Sequence, residues 1–352
     1  MRRRTKLAAL LTAGMLSLAA TACGGDDGDS ADDNGDGDAA GSGIKVGMAY
    51  DVGGRGDQSF NDSAAAGLDQ AVEEFGMDPQ ESEAEDGEAE TAREERLRTF
   101  ADAGYNPIIA VGFAYSASVA KVAPEYPDVN FAIIDDEAAA GDNIANLVFA
   151  EEQGSFLVGA AAALKSEAGH IGFVGGVETP LIQKFEAGYI AGAEAVNPDV
   201  QVDVTYLTQV PDFSGFADPA KGKTAAQGMY DGGADIVYHA AGGSGGGVFE
   251  AASEAGEGNW AIGVDSDQFE TADPSVQNVI LTSMLKNVNV AVYEYLKAVN
   301  DGEAPTGVTR YDLAVDGVGY STSGGFVDDI SADLDDYKQQ IIDGEIEVPT
   351  TP

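Results

Sequence analysis

Cysteine is almost absent: Cys23 is alone among 352 residues, so no disulfide can form within the chain. Histidine is nearly as scarce, with only His170 and His239. A zinc cluster, a Ser-His triad or a Cys-His dyad would find too few ligands and bases here. Positive charge is also short. Against 61 Asp and Glu stand 18 Lys and Arg, a formal net charge of −43. Such a surface repels nucleic acid and anionic lipid headgroups. A long apolar run is missing too: "LAALLTAGMLSLAA" is too short to span a bilayer well.

That short run gives the lone cysteine a meaning. "MRRRTK" is a basic leader, the apolar stretch follows, and "TAC" closes it at Cys23. The pattern reads as a lipoprotein signal over residues 1–22, with Cys23 as the lipidated first residue of the mature protein. Ala20 stands where such signals usually carry Leu, and the competing reading is an incidental cysteine in an ordinary cleaved leader. Residues 23–43 hold Gly, Ser, Asp and Ala but no aromatic or branched aliphatic residue, so they cannot build a core. They read as an acidic tether from a lipid anchor to a folded body on the extracytoplasmic face of the membrane.

From Ile44 onward, short apolar strands alternate with Ala-rich helical patterns. "IKVGMAY", "PIIAVG", "NFAIID", "HIGFVGG", "DIVYHAA" and "WAIGVDS" are nearly continuous apolar runs, as expected of parallel strands covered on both faces. The acidic stretch "DPQESEAEDGEAETAREER" reads as a loop and a first helical turn. A fresh strand series begins at "HIGFVGG", which implies two doubly wound α/β lobes in tandem. The expected division is 44–148 with 283–306 for the N-terminal lobe, and 149–282 with 307–352 for the C-terminal lobe. "GVTRYDLAVDGVGYS" reads as a hairpin. Two such lobes joined by crossing segments form a hinged binding protein, its ligand facing the C-terminal ends of the strands.

Four loops at those ends carry specific chemistry. "YDVGGRGDQSFND" lacks the Lys-Ser/Thr of a P-loop and the glycine spacing of a dinucleotide fingerprint, and its carboxylates would repel phosphate. Its Arg55-Gly56-Asp57 reads as coincidence rather than a receptor motif. "PDFSGFADPAKGK" offers Phe213 and Phe216 among Ser, Gly and Pro. "HAAGGSGGGVFEAA" supplies a glycine wall, where the competing role of each glycine is close helix packing. "IGVDSDQ" ends a strand with Asp265 and Asp267, and Lys286 follows in "TSMLK"; helix capping competes as the role of Asp265. Stacking aromatics, carboxylates, one lysine and a glycine wall suit a neutral ring joined to a polyol, the shape of a nucleoside.

At these motifs the chain resembles the basic membrane protein family of substrate-binding lipoproteins, whose type member is purine nucleoside receptor A. "DVGGRGDQSFNDSAAAGL", "FEAGYIAGA", "GFADPAKGK", "AAGGSGGGVF", "IGVDSDQ" and "TSMLKNVNVAVY" carry the resemblance. It implies a type I periplasmic binding protein fold, delivery of a nucleoside to the permease and ATPase subunits of an ABC importer, and no catalysed reaction. It also implies that Phe60 and Phe216 clamp the base, with Asp51 and Asn61 at the ligand. Asp265 and Lys286 then take the ribose hydroxyls with Gly243 alongside, and Asp267 is a weaker candidate. Family members often carry an acidic residue where this chain has Ala117, and Tyr115 or Ser116 would substitute for it. No metal, cofactor or nucleic acid is expected, and the protein is expected to be a monomer. The alternatives are a sensory or regulatory receptor of the same fold, or a site for a sugar or other small ring. A nucleoside hydrolase would need a denser cluster of Asp residues around calcium than Asp51 and Asp57 supply.

Overall fold

The computed structural model describes residues 42–352, so the proposed signal, the lipidation site Cys23 and most of the tether lie outside the described residues. Twelve strands form two six-stranded sheets among these residues. In chain order they are β1 Lys45–Tyr50, β2 Asp78–Glu83, β3 Ile108–Ala110, β4 Phe131–Ile134, β5 Ile144–Phe149 and β6 His170–Glu178. Then follow β7 Gln201–Gln209, β8 Ile236–Ala240, β9 Trp260–Asp265, β10 Ile280–Lys286, β11 Gly307–Tyr311 and β12 Val318–Tyr320.

The first sheet runs β11-β5-β4-β3-β1-β2 and the second β12-β10-β9-β8-β6-β7. Five strands of each follow the same order, and all pairings are parallel except β12 on β10. This is the type I periplasmic binding fold in two doubly wound lobes. The order reverses next to β1 and next to β6, so each lobe has its switch-point crevice at the strands' C-terminal ends. The continuous apolar runs are the inner strands: every residue of β4, β5 and β8 is buried.

Sequence reasoning misplaces three segments. Asp78–Glu83, within the acidic stretch read as a loop, is an edge strand paired residue by residue with β1. Its backbone carries the pairing while its side chains face solvent, so no apolar alternation marks it. "GVTRYDLAVDGVGYS" is no hairpin, because β11 joins β5 in the first sheet whereas β12 joins β10 in the second. Residues 307–311 therefore belong to the first lobe's sheet. All of β10, including 283–286, lies in the second sheet, and the chain recrosses only after Lys286. The returning helix Val288–Asn300 then packs on Phe60–Phe75 of the first lobe.

Glycine sets a close helix contact behind the second sheet. Helices Glu151–Lys165 and Pro180–Val196 meet through Gly159, Gly188 and Gly192. A Cβ at Gly192 would stand 1.9 Å from the carbonyl oxygen of Phe156, and one at Gly188 would stand 2.1 Å from that of Glu152. Backbone rather than side chain occupies that seam.

Candidate functional site

The loop after β1 is built from three left-handed glycines, Gly53, Gly54 and Gly56, which turn the chain back toward helix Phe60–Phe75. The Asp57 carboxylate accepts the first free N–H groups of that helix, from Ser59 (2.9 Å), Asn61 (2.9 Å) and Asp62 (3.1 Å). Arg55 turns outward to Asp69 and Glu81. The Arg-Gly-Asp carboxylate is thus spent inside the protein, and no receptor can reach it. Freed of capping duty, Asp51 ends β1 at the cleft, its N–H donating to Asn61 Oδ1 at 3.2 Å. A Cβ at Gly112, itself left-handed, would come within 2.6 Å of Asp51 Oδ2.

The lobes meet at this loop. Ser59 Oγ donates to Asp265 Oδ2 (2.7 Å), Ser266 Oγ to the Ser59 carbonyl (3.0 Å), and Gln268 Nε2 to the Gln58 carbonyl (3.0 Å). Behind this seam, between the lobes, lies a cavity. Asp51, Phe60, Asn61, Phe216, Asp265 and Lys286 all line it. Phe216 packs against Gly176 of β6, where a Cβ would stand 2.4 Å from its ring. Phe60 faces the Lys286 ammonium, which sits 4.7 Å from its centroid.

Three candidates, Tyr115, Gly243 and the weaker Asp267, fall elsewhere. Tyr115 is fully buried in the first lobe's core, its hydroxyl donating to the Tyr50 carbonyl (3.1 Å) and accepting from Arg96 (3.0 Å), so it does not line the cavity. Gly243 stands one residue beyond the wall, which Gly242 forms instead. Asp267 accepts from Ser323 Oγ, away from the cavity. Ala117 is exposed, so its lack of a carboxyl leaves the cavity untouched. Sequence reasoning missed Asp135, which pairs with Lys286, along with Phe113 and Phe185 on the wall. A signal for Asp135 exists: it follows β4 in "IID" as Asp265 closes β9 in "GVD". Both adopt positive φ, 64° and 62°.

Several charged groups line the cavity. The Lys286 ammonium is buried against Asp135 and stands 3.9 Å from Glu151. Burial alone would pull this lysine down, but Asp135, Asp265 and Glu151 together hold it above the ordinary lysine value. Burial pushes Asp51 up to about 6, despite its hydrogen bond from Val52 and the charge of Arg93. Asp265 also rises to about 6 through burial, with Lys286 and Ser59 opposing. Glu151 rises to about 7 for the same reason. One oxygen each of Asp135 and Glu151 is buried without a hydrogen bond. The arrangement can therefore accept hydrogen bonds from a hydroxylated ligand while flanking it with aromatic rings. Among the described residues no group of three or more His, Cys, Asp or Glu is placed to hold a metal ion.

Residues 44–352 match the family model for Bmp, the PnrA-like ABC transporter substrate-binding proteins. A CD4+ T-cell-stimulating antigen of Listeria innocua is 36% identical over the full length of both chains. The ABC transporter nucleoside-binding protein BmpA of Lactococcus lactis subsp. cremoris is 33% identical, covering 87% of this chain and 89% of its own. A solved solute-binding protein of an ABC transporter system from Aeropyrum pernix K1 superposes with a TM-score of 0.76. It is 32% identical and covers 87% of this chain and 93% of its own. With an interlobe cavity, a matching fold and these relatives, the chain belongs to the Bmp family of PnrA-like ABC transporter substrate-binding proteins.

Proposed function

We propose that this substrate-binding protein takes a nucleoside, with a purine base, into the interlobe cavity and delivers it to the permease of an ABC importer. Phe60 and Phe216 flank the base, and Asp51 and Asn61 hold its edge. Asp265, Lys286 and Asp135 receive the ribose hydroxyls. Cys23 carries the lipid that keeps the protein on the extracytoplasmic face of the membrane. The observation that carries this reading is the cavity wall itself: an aromatic ring from each lobe beside a buried lysine flanked by carboxylates. The nucleoside-binding relative from Lactococcus supports the ligand class.

The energetics suffice. Two stacking contacts at ~1–3 kcal/mol each and a few charge-assisted hydrogen bonds at ~1.5–3 kcal/mol each exceed the ~8 kcal/mol of micromolar binding. Ordering the ligand and closing the lobes consume the surplus.

Native mass spectrometry of the purified protein, incubated with equal amounts of adenosine, guanosine, inosine, uridine and cytidine, tests this directly. The expected result is a single added mass, that of one purine nucleoside. A protein that stays at its bare mass with every nucleoside contradicts the reading.

A further inference from the structure

Arg93 lies on helix Glu90–Asp102 of the first lobe, outside the cavity wall. It is only 4% exposed, an unusual place for a guanidinium. Its one ion partner among the described residues, Glu88, stands 3.5 Å from Nε and is itself gripped by both terminal nitrogens of Arg96, at 2.9 and 2.8 Å. Arg93 Nε has no hydrogen-bond partner among the described residues. What the guanidinium does have is two aromatic faces. The Tyr115 ring of its own lobe lies 5.9 Å away, and the Phe213 ring of the second lobe lies 5.7 Å away. Phe213 also meets Phe113 edge-on at 5.9 Å, and Phe113 meets Phe216 at 6.4 Å. Arg93 therefore touches an aromatic chain that crosses from lobe to lobe and ends on the cavity wall.

We propose that Arg93 is a positioning residue for ligand retention: its contact with Phe213 holds the lobes shut over the ligand. Phe213 belongs to the short turn Phe213–Phe216, packed on β6 and β7, so opening the lobes must break its contact with Arg93. A desolvated guanidinium over an aromatic face is attracted by the ring quadrupole, and separation forfeits that attraction.

The proposal rests on the nucleoside reading, and one set of measurements separates the two. Dissociation rate and affinity of the purified full-length protein are measured with adenosine, guanosine and inosine as probes. Arg93→Met is expected to speed dissociation about tenfold, equivalent to about 1.4 kcal/mol. Arg93→Lys should recover only part of the retention, since a compact ammonium lacks the planar stacking face. Phe213→Leu should reproduce the faster dissociation, and the double variant should lose little more than Arg93→Met alone. Should Arg93→Met fail to fold, Phe213→Leu and Arg93→Lys still decide: unchanged dissociation in the first overturns the proposal. Strictly additive losses overturn it too. Those results would leave the nucleoside reading standing. A wild-type protein that binds none of the three probes overturns the nucleoside reading, and the proposal with it.

Discussion

Lys286 and Asp135 meet across the cleft, one closing β10 of the second sheet and the other following β4 of the first. Their side chains are only 2% and 5% exposed, so the pair is a buried bridge between the lobes. Removing the lysine would leave Asp135 and Asp265 buried without its ammonium, and Glu151 with Lys184 alone, 3.4 Å away. Lys286→Met should therefore destabilise the protein by about 3–5 kcal/mol, the usual cost of breaking a buried pair from one side. Denaturant unfolding checks this, and a midpoint equal to the wild type would show that the pair carries no such weight. Asp135→Asn should cost less, because the lysine keeps two carboxylates.

Phe216→Ala should weaken nucleoside binding at least tenfold, about 1.4 kcal/mol or more, since a stacked base is worth ~1–3 kcal/mol. The ring rests on Gly176, so its loss uncovers that glycine on the second lobe's wall. Affinity measured by calorimetry decides it. Wild-type affinity in the variant would reject stacking by this residue.

Acidity should act on stability and on binding with opposite signs. Asp51 and Asp265 are raised to about 6 and Glu151 to about 7 by burial. A carboxyl raised by folding binds protons more tightly when folded. Its contribution to stability is therefore full below its unfolded pKa and is lost as pH rises through 6 to 7. The ligand-free protein should melt higher at pH 5 than at pH 7.5, helped by relief of the large negative net charge. Binding needs the carboxylates as acceptors, so affinity should fall over the same interval on acidification. Melting curves with and without inosine test both signs, and parallel movement of the two would contradict the assignment.

Gly192→Val should destabilise by about 1–3 kcal/mol, the cost of overpacking. The new Cβ would meet the Phe156 carbonyl at 1.9 Å, and backbone cannot rotate away as a side chain does. An unfolding midpoint within error of the wild type would show that the two helices part without penalty.

Much of this was written in the chain as apolar period and turn chemistry. The inner strands are legible because burial on both faces leaves them continuously apolar, as in β4, β8 and β9. β2 is illegible, since "DPQESE" contributes backbone to the edge of the sheet and no core side chain. The exchange of β11 and β12 between sheets is hidden for a different reason. Each pairs by backbone with a partner distant in sequence, and nothing in "GVTRY" or "VGY" encodes which sheet receives it. At the site, Asp51, Phe60, Phe216, Asp265 and Lys286 are legible because they stand at strand ends or beside the polar and glycine-rich loops that follow strands. Tyr115 misled because a loop aromatic can turn inward, here to bond the Tyr50 carbonyl. Asp135 escaped notice because one strand-end carboxylate resembles a cap until its partner from the other lobe is seen.

The central claim is that the cavity takes a nucleoside, and titration calorimetry of the purified protein at pH 7.5 tests it most directly. Adenosine, guanosine, inosine, uridine, cytidine and free ribose are each titrated in turn. The expected result is one site per chain, with about micromolar or tighter affinity for at least one purine nucleoside and none for ribose. No heat with any nucleoside, or equal binding of ribose alone, would contradict it.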